Sequence, residues 1–299
     1  MSMALVVGSA NADLVYSVTE FPSPGQTISS NGFNIYAGGK GANQAVACAR
    51  AGASVQFCAN VGSDNFGEFL TKSLTENGVA LDNLSIVSEP TGSAVILVNQ
   101  SGENQIVLNA GANDKLDANR VEAAIKATMP QLILVQLEIP KESVDAVLAS
   151  KVRVILNPAP YRDLSDSNLN GLFAITPNET ECAQLCGILP TTNEAAREAA
   201  QKLIAKGISN VVITLGRRGC YWTNNQEECF VSPPKVTPVD TTGAGDVFNG
   251  ALMARLIEKD DFPTALKFAV TAASISTTRH GALNSAPRLS EVYDLLSST

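Results

Sequence analysis

The sequence has little charge and almost no histidine. Only 17% of its 299 residues are charged, one residue is histidine, and 29 acidic residues stand against 21 basic ones. With a formal net charge of -8 and no basic run, a nucleic-acid partner is not expected, because phosphate contacts need clustered Lys and Arg. One imidazole also excludes a histidine-rich metal site. The 45% hydrophobic content excludes a mostly disordered chain and predicts a sizeable buried core.

Membrane-length apolar runs and paired cysteine motifs are missing as well. No stretch of the sequence approaches the roughly 18 apolar residues of a membrane helix, and its first residues lack the basic segment of a signal peptide. The six cysteines contain no C-x-x-C pair, which argues against a zinc ribbon or a thioredoxin-type motif. We therefore expect a soluble, cytoplasmic protein with reduced thiols and no membrane partner.

Short apolar runs alternate with helical patterns along the chain. Nearly uninterrupted apolar runs predict buried strands at residues 4–8, 132–137, 152–156, 172–176 and 211–215. Helices are predicted over residues 64–77, 194–206 and 264–278. This alternation predicts an α/β fold with a central, mostly parallel sheet and helices on both of its faces.

Two segments in the first third break the alternation. Residues 14–37 carry prolines and a glycine between β-prone runs, and residues 92–109 resemble a hairpin around the turn at residues 101–104. Together they could form a small sheet that stands off the main one. We therefore predict a single domain, 1–299, with a β-sheet lid formed by about 14–37 and 92–109.

The strongest chemical signal is the segment at residues 240–250, Asp-Thr-Thr-Gly-Ala-Gly-Asp-Val-Phe-Asn-Gly. Its turn of Gly243, Ala244 and Gly245 opens an apolar helix, so backbone N–H groups point outward at the positive end of the helix dipole and form an anion site. Asp246 lies beside that site, where it could accept a proton from an attacking hydroxyl. An ordinary helix start with an acidic first turn is the alternative.

Two further segments carry polar groups next to glycines or after a strand. Residues 37–45 place Lys40 and Asn43 after three closely spaced glycines, although a flexible turn before a helix would have the same composition. Asn11 and Asp13 follow the first predicted strand, where parallel sheets bind ligands, but such residues also form plain turns. Neither a Walker A motif nor a dinucleotide-binding fingerprint is present.

These motifs resemble a known family. Residues 38–45 and 240–250 are similar to the two signatures of the PfkB carbohydrate kinases, in the same order and at opposite ends of the chain. The likeness covers essentially the whole chain, through segments 11–13, 102–105, 157–160, 176–181, 214–219 and 278–282. It implies the ribokinase-like α/β fold with a small lid, a homodimer paired through the lids, and transfer of the γ-phosphoryl group of ATP to the 5-hydroxyl of D-ribose.

The resemblance also implies a role for each matching residue. The ribose hydroxyls would be held by Asn11, Asp13, Gly39, Lys40, Asn43 and Glu138. Asp246 would act as the general base and contact the sugar, while the N–H groups of Gly243, Ala244 and Gly245 would form the anion hole. ATP would be bound by Asn178, Thr214, Gly216, Gly219 and Gly245.

Two cations are implied in the same way. Glu181, in an N-x-x-E pattern with Asn178, would lie in the Mg²⁺ region. An activating K⁺ would lie near Asp240, Thr242, Ser276, Gly281 and Ser285. Residues 270–276 lack the Asn that relatives often place near adenine, so the adenine contacts stay unassigned.

Two alternatives remain open. The first is another sugar or nucleoside kinase of the family, such as a deoxyribokinase or an adenosine kinase, although Asn11 favours a substrate with a 2-hydroxyl. The second is a non-catalytic, sugar-binding regulator on the same fold. Asp246, the Gly-Ala-Gly turn and the pair Asn178 and Glu181 argue against it, because a sensor needs no phosphate site.

Overall fold

Strands and helices alternate along residues 3–298, the part of the chain that the computed structural model describes. Met1, Ser2 and Thr299, the ends of the predicted domain, lie outside it. The strands are β1 (Met3–Val7), β2 (Asn11–Ser17), β3 (Gly32–Gly38), β4 (Ser54–Gly62), β5 (Leu84–Val87), β6 (Gly92–Val98), β7 (Asn104–Asn109), β8 (Leu132–Val135), β9 (Arg153–Leu156), β10 (Ala174–Ile175), β11 (Val211–Thr214), β12 (Cys220–Thr223) and β13 (Glu228–Val231). The α-helices are α1 (Lys40–Arg50), α2 (Asn65–Glu76), α3 (Ala118–Thr128), α4 (Lys141–Leu148), α5 (Glu179–Cys186), α6 (Asn193–Ile204), α7 (Ala244–Ile257), α8 (Phe262–Ser276) and α9 (Leu289–Ser297).

The main sheet has nine strands in the order β13-β12-β11-β10-β9-β8-β1-β4-β5. All neighbours from β11 to β5 pair in parallel, and β12 and β13 continue the sheet antiparallel at one edge. The carboxyl ends of the central strands therefore open on the same edge of the sheet, which is where such folds bind ligands.

Two apolar cores cover the two faces of this sheet. In β1, Ala4 and Val6 face one core, which includes α1, α2, α7, α8 and α9. Leu5 and Val7 face the other core, which includes α3, α4, α5 and α6. Alternate side chains of a strand point to opposite faces, so a strand between two helical layers must be apolar at every position. The predicted fold class is confirmed, with helices on both faces.

The five predicted strands and three predicted helices are all present, and each end lies within two residues of its expected position. Side-chain caps explain two of the helix starts: Asp64 accepts a hydrogen bond from the Gly67 N–H at 2.8 Å, and Thr192 accepts one from Ala195 at 3.1 Å. Within residues 3–298, no helix is both long and apolar enough to cross a membrane. The six cysteines, all among the described residues, are free thiols.

A separate four-stranded sheet, in the order β3-β2-β6-β7, is formed by the two segments that broke the alternation. The hairpin predicted over residues 92–109 is the antiparallel pair β6 and β7. β2 begins at Asn11, three residues before the predicted segment, and pairs along its length with β3 and β6. Asn11 and Asp13 therefore open a strand of this sheet and do not form the turn that the sequence left as an alternative.

Candidate active site

Polar residues collect beyond the carboxyl ends of the central strands. Ser9 follows β1, Glu138 follows β8, Asn157 follows β9 and Asn178 follows β10. Helices α1 and α7 begin at the same edge, because their first residues contact groups from these strand ends. The site is thus built from segments that are far apart in the sequence and adjacent in the sheet.

Asp246 lies in the first turn of α7 and is 7% exposed. Its Oδ2 accepts a hydrogen bond from Asn43 Nδ2 at 3.0 Å, and its Oδ1 accepts one from Gln44 Nε2 at 2.9 Å. Burial raises the pKa of Asp246, while Lys40 and the two amides oppose the rise. The side chain is therefore a buried carboxylate held by two donors and placed next to a cation.

The backbone before Asp246 requires glycine. Gly243 caps α7 with φ 73°, a left-handed conformation, and a Cβ there would lie 2.7 Å from the Cβ of Ala282. Gly243 and Ala244 are half-buried and Gly245 is exposed, so this helix N-terminus is accessible to an anion. The Ala244 N–H donates to the Thr241 carbonyl at 3.2 Å, a bond that must open before that N–H can bind a phosphoryl oxygen.

Lys40 is the first residue of α1 and lies among three carboxylates. Burial on its own would lower the pKa of Lys40, but Asp246, Glu138 and Glu181 together raise it. Its backbone N–H also donates to Glu138 Oε2 at 3.1 Å, and Ser9 Oγ donates to the same oxygen at 2.6 Å. The Lys40 ammonium group therefore stays charged among these three carboxylates.

Gly39 allows the chain to reach Lys40 beside β1. Its φ is 88°, and a Cβ on it would lie 2.8 Å from the Asn11 backbone nitrogen and 2.9 Å from the Ser9 carbonyl oxygen. Both the conformation and the close approach exclude a larger residue. The glycine therefore brings the start of α1 against the start of β2.

Asn11 and Asp13 bring the small sheet to the site. Asn11 is buried, and its Oδ1 accepts from Asn113 Nδ2 at 2.8 Å. Burial, followed by repulsion from Glu138 and Asp246, raises the pKa of Asp13 to about 7. The structure therefore gathers Asn11, Asp13, Gly39, Lys40, Asn43, Glu138 and Asp246, the full predicted set of sugar-binding residues, around one site.

Asn178 and Glu181 form a capping box at the start of α5. The Asn178 N–H and Nδ2 each donate to a Glu181 carboxylate oxygen at 2.9 Å, and the Glu181 N–H donates to Asn178 Oδ1 at 2.8 Å. Burial raises the pKa of Glu181, although the Asn178 N–H and Lys40 oppose this. Glu181 thus stabilises the start of its helix and also interacts electrostatically with Lys40.

The predicted nucleotide residues adjoin this capping box. Asn178 and Thr214 form an isolated parallel bridge, with the Thr214 N–H donating to the Pro177 carbonyl at 2.9 Å. Gly216 and Gly219, which follow β11, have φ of 53° and 86° and enclose a single 3₁₀ turn. The loop after β11 therefore lies beside Asn178.

The predicted monovalent-cation residues come from the loop before α7, from the end of α8 and from the segment after α8, and a hydrogen bond joins the first and last of these. Asp240 Oδ1 accepts from the Thr242 N–H, and Asp240 Oδ2 accepts from the Gly281 N–H, both at 2.9 Å. Burial would raise the pKa of Asp240, but these hydrogen bonds and nearby His280 lower it. Ser276 and Ser285 are buried, and each hydroxyl donates to a nearby carbonyl. His280 is exposed and has no catalytic position.

Sequence reasoning did not assign the amides behind Asp246. Gln44, Gln136, Asn157 and Asn249 are buried and hydrogen-bonded in the same region. Gln44 and Asn157 lie within segments that resembled the family, yet no pattern in the sequence shows that they contact each other. Their link to Asp246 depends on pairings across about 100 to 200 residues.

A family model described as pfkB family carbohydrate kinase matches residues 1–289. The ribokinases of Haemophilus influenzae and Bacillus subtilis are 41% and 38% identical to this chain, over 97% and 98% of each partner. The deoxyribokinase of Salmonella typhi is 35% identical over 98% of each. The structure of Arabidopsis thaliana ribokinase complexed with ribose and ATP is 33% identical, with a TM-score of 0.90 over 99% of both chains.

The family match covers nearly the whole chain, and it agrees with the site geometry. A buried carboxylate beside a lysine can take a proton from a hydroxyl, and the accessible helix N-terminus next to it can hold a phosphoryl group. These are the two requirements of phosphoryl transfer to an alcohol. The chain belongs to the pfkB family of carbohydrate kinases.

Proposed function

We propose that this chain transfers the γ-phosphoryl group of ATP to the 5-hydroxyl of D-ribose, giving ribose 5-phosphate and ADP. The observation that carries the proposal is the buried carboxylate of Asp246 at the N-terminus of α7, hydrogen-bonded to Asn43 and close to Lys40. The named ribokinase relatives, and the ribokinase structure that holds ribose and ATP, support the choice of substrates.

The sugar is held by Asn11, Asp13, Gly39, Lys40, Asn43 and Glu138. One observation supports this assignment directly: Asn43 Oδ1 is buried and has no hydrogen-bond partner among the described residues. An unpaired buried acceptor costs about 1–3 kcal/mol, and a sugar hydroxyl would supply the missing donor. The carboxylates of Asp13 and Glu138 accept further hydroxyl protons, while the Lys40 ammonium donates to sugar oxygens.

In the reaction, the 5-hydroxyl of ribose gives its proton to Asp246 as its oxygen attacks the γ-phosphorus. The bond between that phosphorus and the bridging oxygen of ADP breaks at the same time. The N–H groups of Gly243, Ala244 and Gly245 stabilise the charge on the transferring group, because they lie at the positive end of α7. Such a reaction depends mainly on positioning and electrostatics.

ATP binds on the side of Asn178, Thr214, Gly216 and Gly219. The residues present fit a magnesium ion. Glu181 is a buried carboxylate that is hydrogen-bonded to Asn178 and lies near Lys40 and Asp246. Mg²⁺ commonly binds one or two carboxylates together with water and phosphate oxygens. When bound, Mg²⁺ would neutralise phosphate charge. Glu181, held by its capping box, would supply a carboxylate to that ion.

A potassium ion near Asp240 is part of the proposal. The lowered pKa keeps Asp240 ionised. Its carboxylate accepts hydrogen bonds from the N–H groups of Thr242 and Gly281, and the second of these bonds joins it to the segment that carries Ser285. Oxygen donors of this kind suit a hard cation. We expect turnover to be faster in potassium than in sodium salts at equal ionic strength, measured by ADP release. Equal rates across monovalent cations would remove this site from the account.

The proposal includes a homodimer through the small sheet. Cross-strand register places Ile35, Val95 and Val107 in one row with Leu14, on the face opposite Asp13. Ile35, Val95 and Val107 are exposed, and an exposed apolar face of this kind is typical of an interaction site. We place the protein in the cytoplasm, where its six free thiols would stay reduced.

The main rival activity is that of a deoxyribokinase, because one of the relatives bears that name. Asn11 favours ribose, because its buried amide offers polar groups that a 2-hydroxyl would satisfy and a 2-deoxy sugar would leave unpaired. The test is ADP release with ATP, Mg²⁺ and a panel of pentoses, 2-deoxyribose, hexoses and nucleosides. Ribose should give the highest kcat/KM; a higher value for 2-deoxyribose or adenosine would replace the proposal with that rival.

A further inference from the structure

Asp246 accepts a hydrogen bond from Gln44, a side chain that is too deeply buried to reach a substrate. Gln44 is fully buried, and its Nε2 donates both to Asp246 Oδ1 at 2.9 Å and to Asn157 Oδ1 at 3.0 Å. A side-chain amide has two N–H donors, so both are used. Asn43, the next residue, donates to the other carboxylate oxygen and carries the free acceptor. The two neighbouring amides therefore have different tasks.

The orientation of the Gln44 amide is fixed by its surroundings. Asn157 Nδ2 donates to the Thr176 carbonyl at 3.2 Å, so Asn157 must turn its oxygen toward Gln44. Gln44 then faces two acceptors, the Asn157 oxygen and the Asp246 carboxylate. Its own Oε1 accepts from Gln136 Nε2, which lies just after β8. A reversed amide would bring three acceptors together, and each buried acceptor would lose its donor.

We propose that Gln44 is a positioning residue that favours the ionised form of Asp246 and fixes the orientation of its carboxylate. By donating to Oδ1 it favours the ionised carboxylate, and it leaves Oδ2, on the Asn43 side, as the oxygen that receives the substrate proton. Burial and the nearby carboxylate of Glu138 work in the opposite direction and raise the pKa of Asp246, while Lys40 and Asn43 act in the same direction as Gln44. The carboxyl groups of Asp13 and Glu181 also face Asp246. Gln136 and Asn157 act through Gln44. They orient its amide, and within residues 3–298 both form hydrogen bonds with Gln44 and neither with the Asp246 carboxylate. This inference rests on the proposed function.

The test is the pH dependence of kcat for Gln44→Leu and Gln44→Glu. The acidic limb of that profile reports the base in the enzyme–substrate complex. Gln44→Leu should lower the plateau kcat by about 10- to 100-fold, the worth of one hydrogen bond to a charged group, and move the acidic limb to higher pH. Gln44→Glu should move the limb further, because a second carboxylate disfavours ionisation of Asp246. Ribose and ATP affinities should stay within about threefold of wild type.

Two further variants keep the test decisive. Gln136→Leu removes only the donor to Gln44, and it should move the limb in the same direction by less; it answers the question if Gln44→Leu does not fold. Asn210→Ala is the control, since Asn210 is also a buried amide but bonds the Trp222 indole and the Phe173 carbonyl. It should cost stability and leave the pH profile unchanged.

An acidic limb at the wild-type pH in both Gln44 variants would overturn the inference. The proposed function fails separately: it is wrong if the wild type does not phosphorylate ribose, or if Asp246→Asn keeps its turnover. A wild type that is active, an Asp246→Asn variant that is not, and Gln44 variants with unshifted profiles would leave the function standing and remove only the role of Gln44.

Discussion

At the scale of single residues, the site concentrates carboxylates around one lysine. Lys40 lies among Asp246, Glu138 and Glu181, and Asp13 is close enough to Glu138 and Asp246 for both to raise its pKa. The excess of negative charge is costly in the free enzyme. Lys40 offsets part of that cost, and the hydroxyls of a bound sugar would reduce it further, so binding and protonation should be linked.

Ribose affinity should therefore depend on pH through Asp13. Its pKa of about 7 means that the carboxyl group is largely protonated at pH 6 in the free enzyme. The protonated form accepts hydroxyl protons poorly, so the Kd for ribose should rise as pH falls from 8 to 6, by up to about tenfold. Calorimetric titration without ATP measures this. Asp13→Asn should bind more weakly at pH 8 and show a flat profile; a wild-type Kd that does not change over this range contradicts the assignment.

The same carboxyl group should reduce stability at high pH. A folded-state pKa raised from 3.8 to about 7 means that the folded protein binds a proton more tightly than the unfolded chain. The stability that this proton provides is complete below the unfolded value and is lost as pH rises through about 7. Asp13→Asn should thus be more stable than wild type at pH 8, by up to about 4 kcal/mol, and the gain should shrink toward pH 5. Urea denaturation at both pH values measures it; an equal difference at both would exclude this cause.

At the scale of elements, the junction between β1, β2 and α1 depends on Gly39. Gly39→Ala would combine an unfavourable φ of 88° with contacts of 2.8–2.9 Å to Asn11, Ala10 and Ser9. Gly25→Ala is the matched control, because Gly25 has φ 81° and open space around its Cβ position. The control should cost about 1 kcal/mol of folding free energy. Gly39→Ala should cost several kcal/mol and weaken ribose binding; equal losses in the two variants would contradict the close approach.

The elements that the sequence predicted best are the ones with uniform surroundings. β1, β8 and β11 are covered on both faces, so their apolar runs carry a clear signal. β4 and the fully buried β12 mix polar and apolar residues, so neither forms an uninterrupted apolar run. β13 is the edge strand and is only partly buried, so burial imposes no clear pattern on it. These strands were not predicted. The N-x-x-E pattern of Asn178 and Glu181, which the family resemblance singled out, is in contrast local, and the structure joins its two residues in a capping box.

Sequence reasoning named the residues that the structure brings together around Asp246, but it did not name the amides behind Asp246. Lys40, Asn43 and Asp246 lie in the first turns of α1 and α7, directly after or within glycine-rich segments whose composition alone marks an unusual backbone. Gln44 and Gln136 lie inside a helix and after a strand, and their hydrogen bond joins positions 92 residues apart. No local periodicity or spacing reports such a contact. Only the three-dimensional arrangement shows that these amides form a hydrogen-bonded chain behind Asp246.

At the scale of the whole molecule, the acidic balance is compatible with the proposed way of binding phosphate. The chain carries a net charge of -8, yet the anion site that we propose consists of backbone N–H groups at the start of α7, with Lys40 near the adjoining carboxylate. A basic surface is not needed when helix termini and a metal bind the phosphates. The composition therefore argues against a nucleic-acid partner and does not argue against a nucleotide.

The small sheet should pair two copies of the chain. Light scattering should give a mass of about twice 31.3 kDa. Val107→Asp, on the proposed interface where the side chain is 71% exposed, should give a monomer, because a buried carboxylate at an apolar contact is unfavourable. Met129→Asp, 81% exposed after α3, should leave the dimer intact. A wild-type mass near 31 kDa would contradict the proposed pairing.

The most direct test of the account is the turnover of Asp246→Asn with ATP, Mg²⁺ and D-ribose. Asparagine preserves the shape of the side chain but cannot accept the hydroxyl proton. ADP release should fall by at least about a hundredfold, while calorimetry should show ribose and ATP binding close to wild type. Turnover near the wild-type rate would contradict the central claim that Asp246 is the base of a ribose-phosphorylating site.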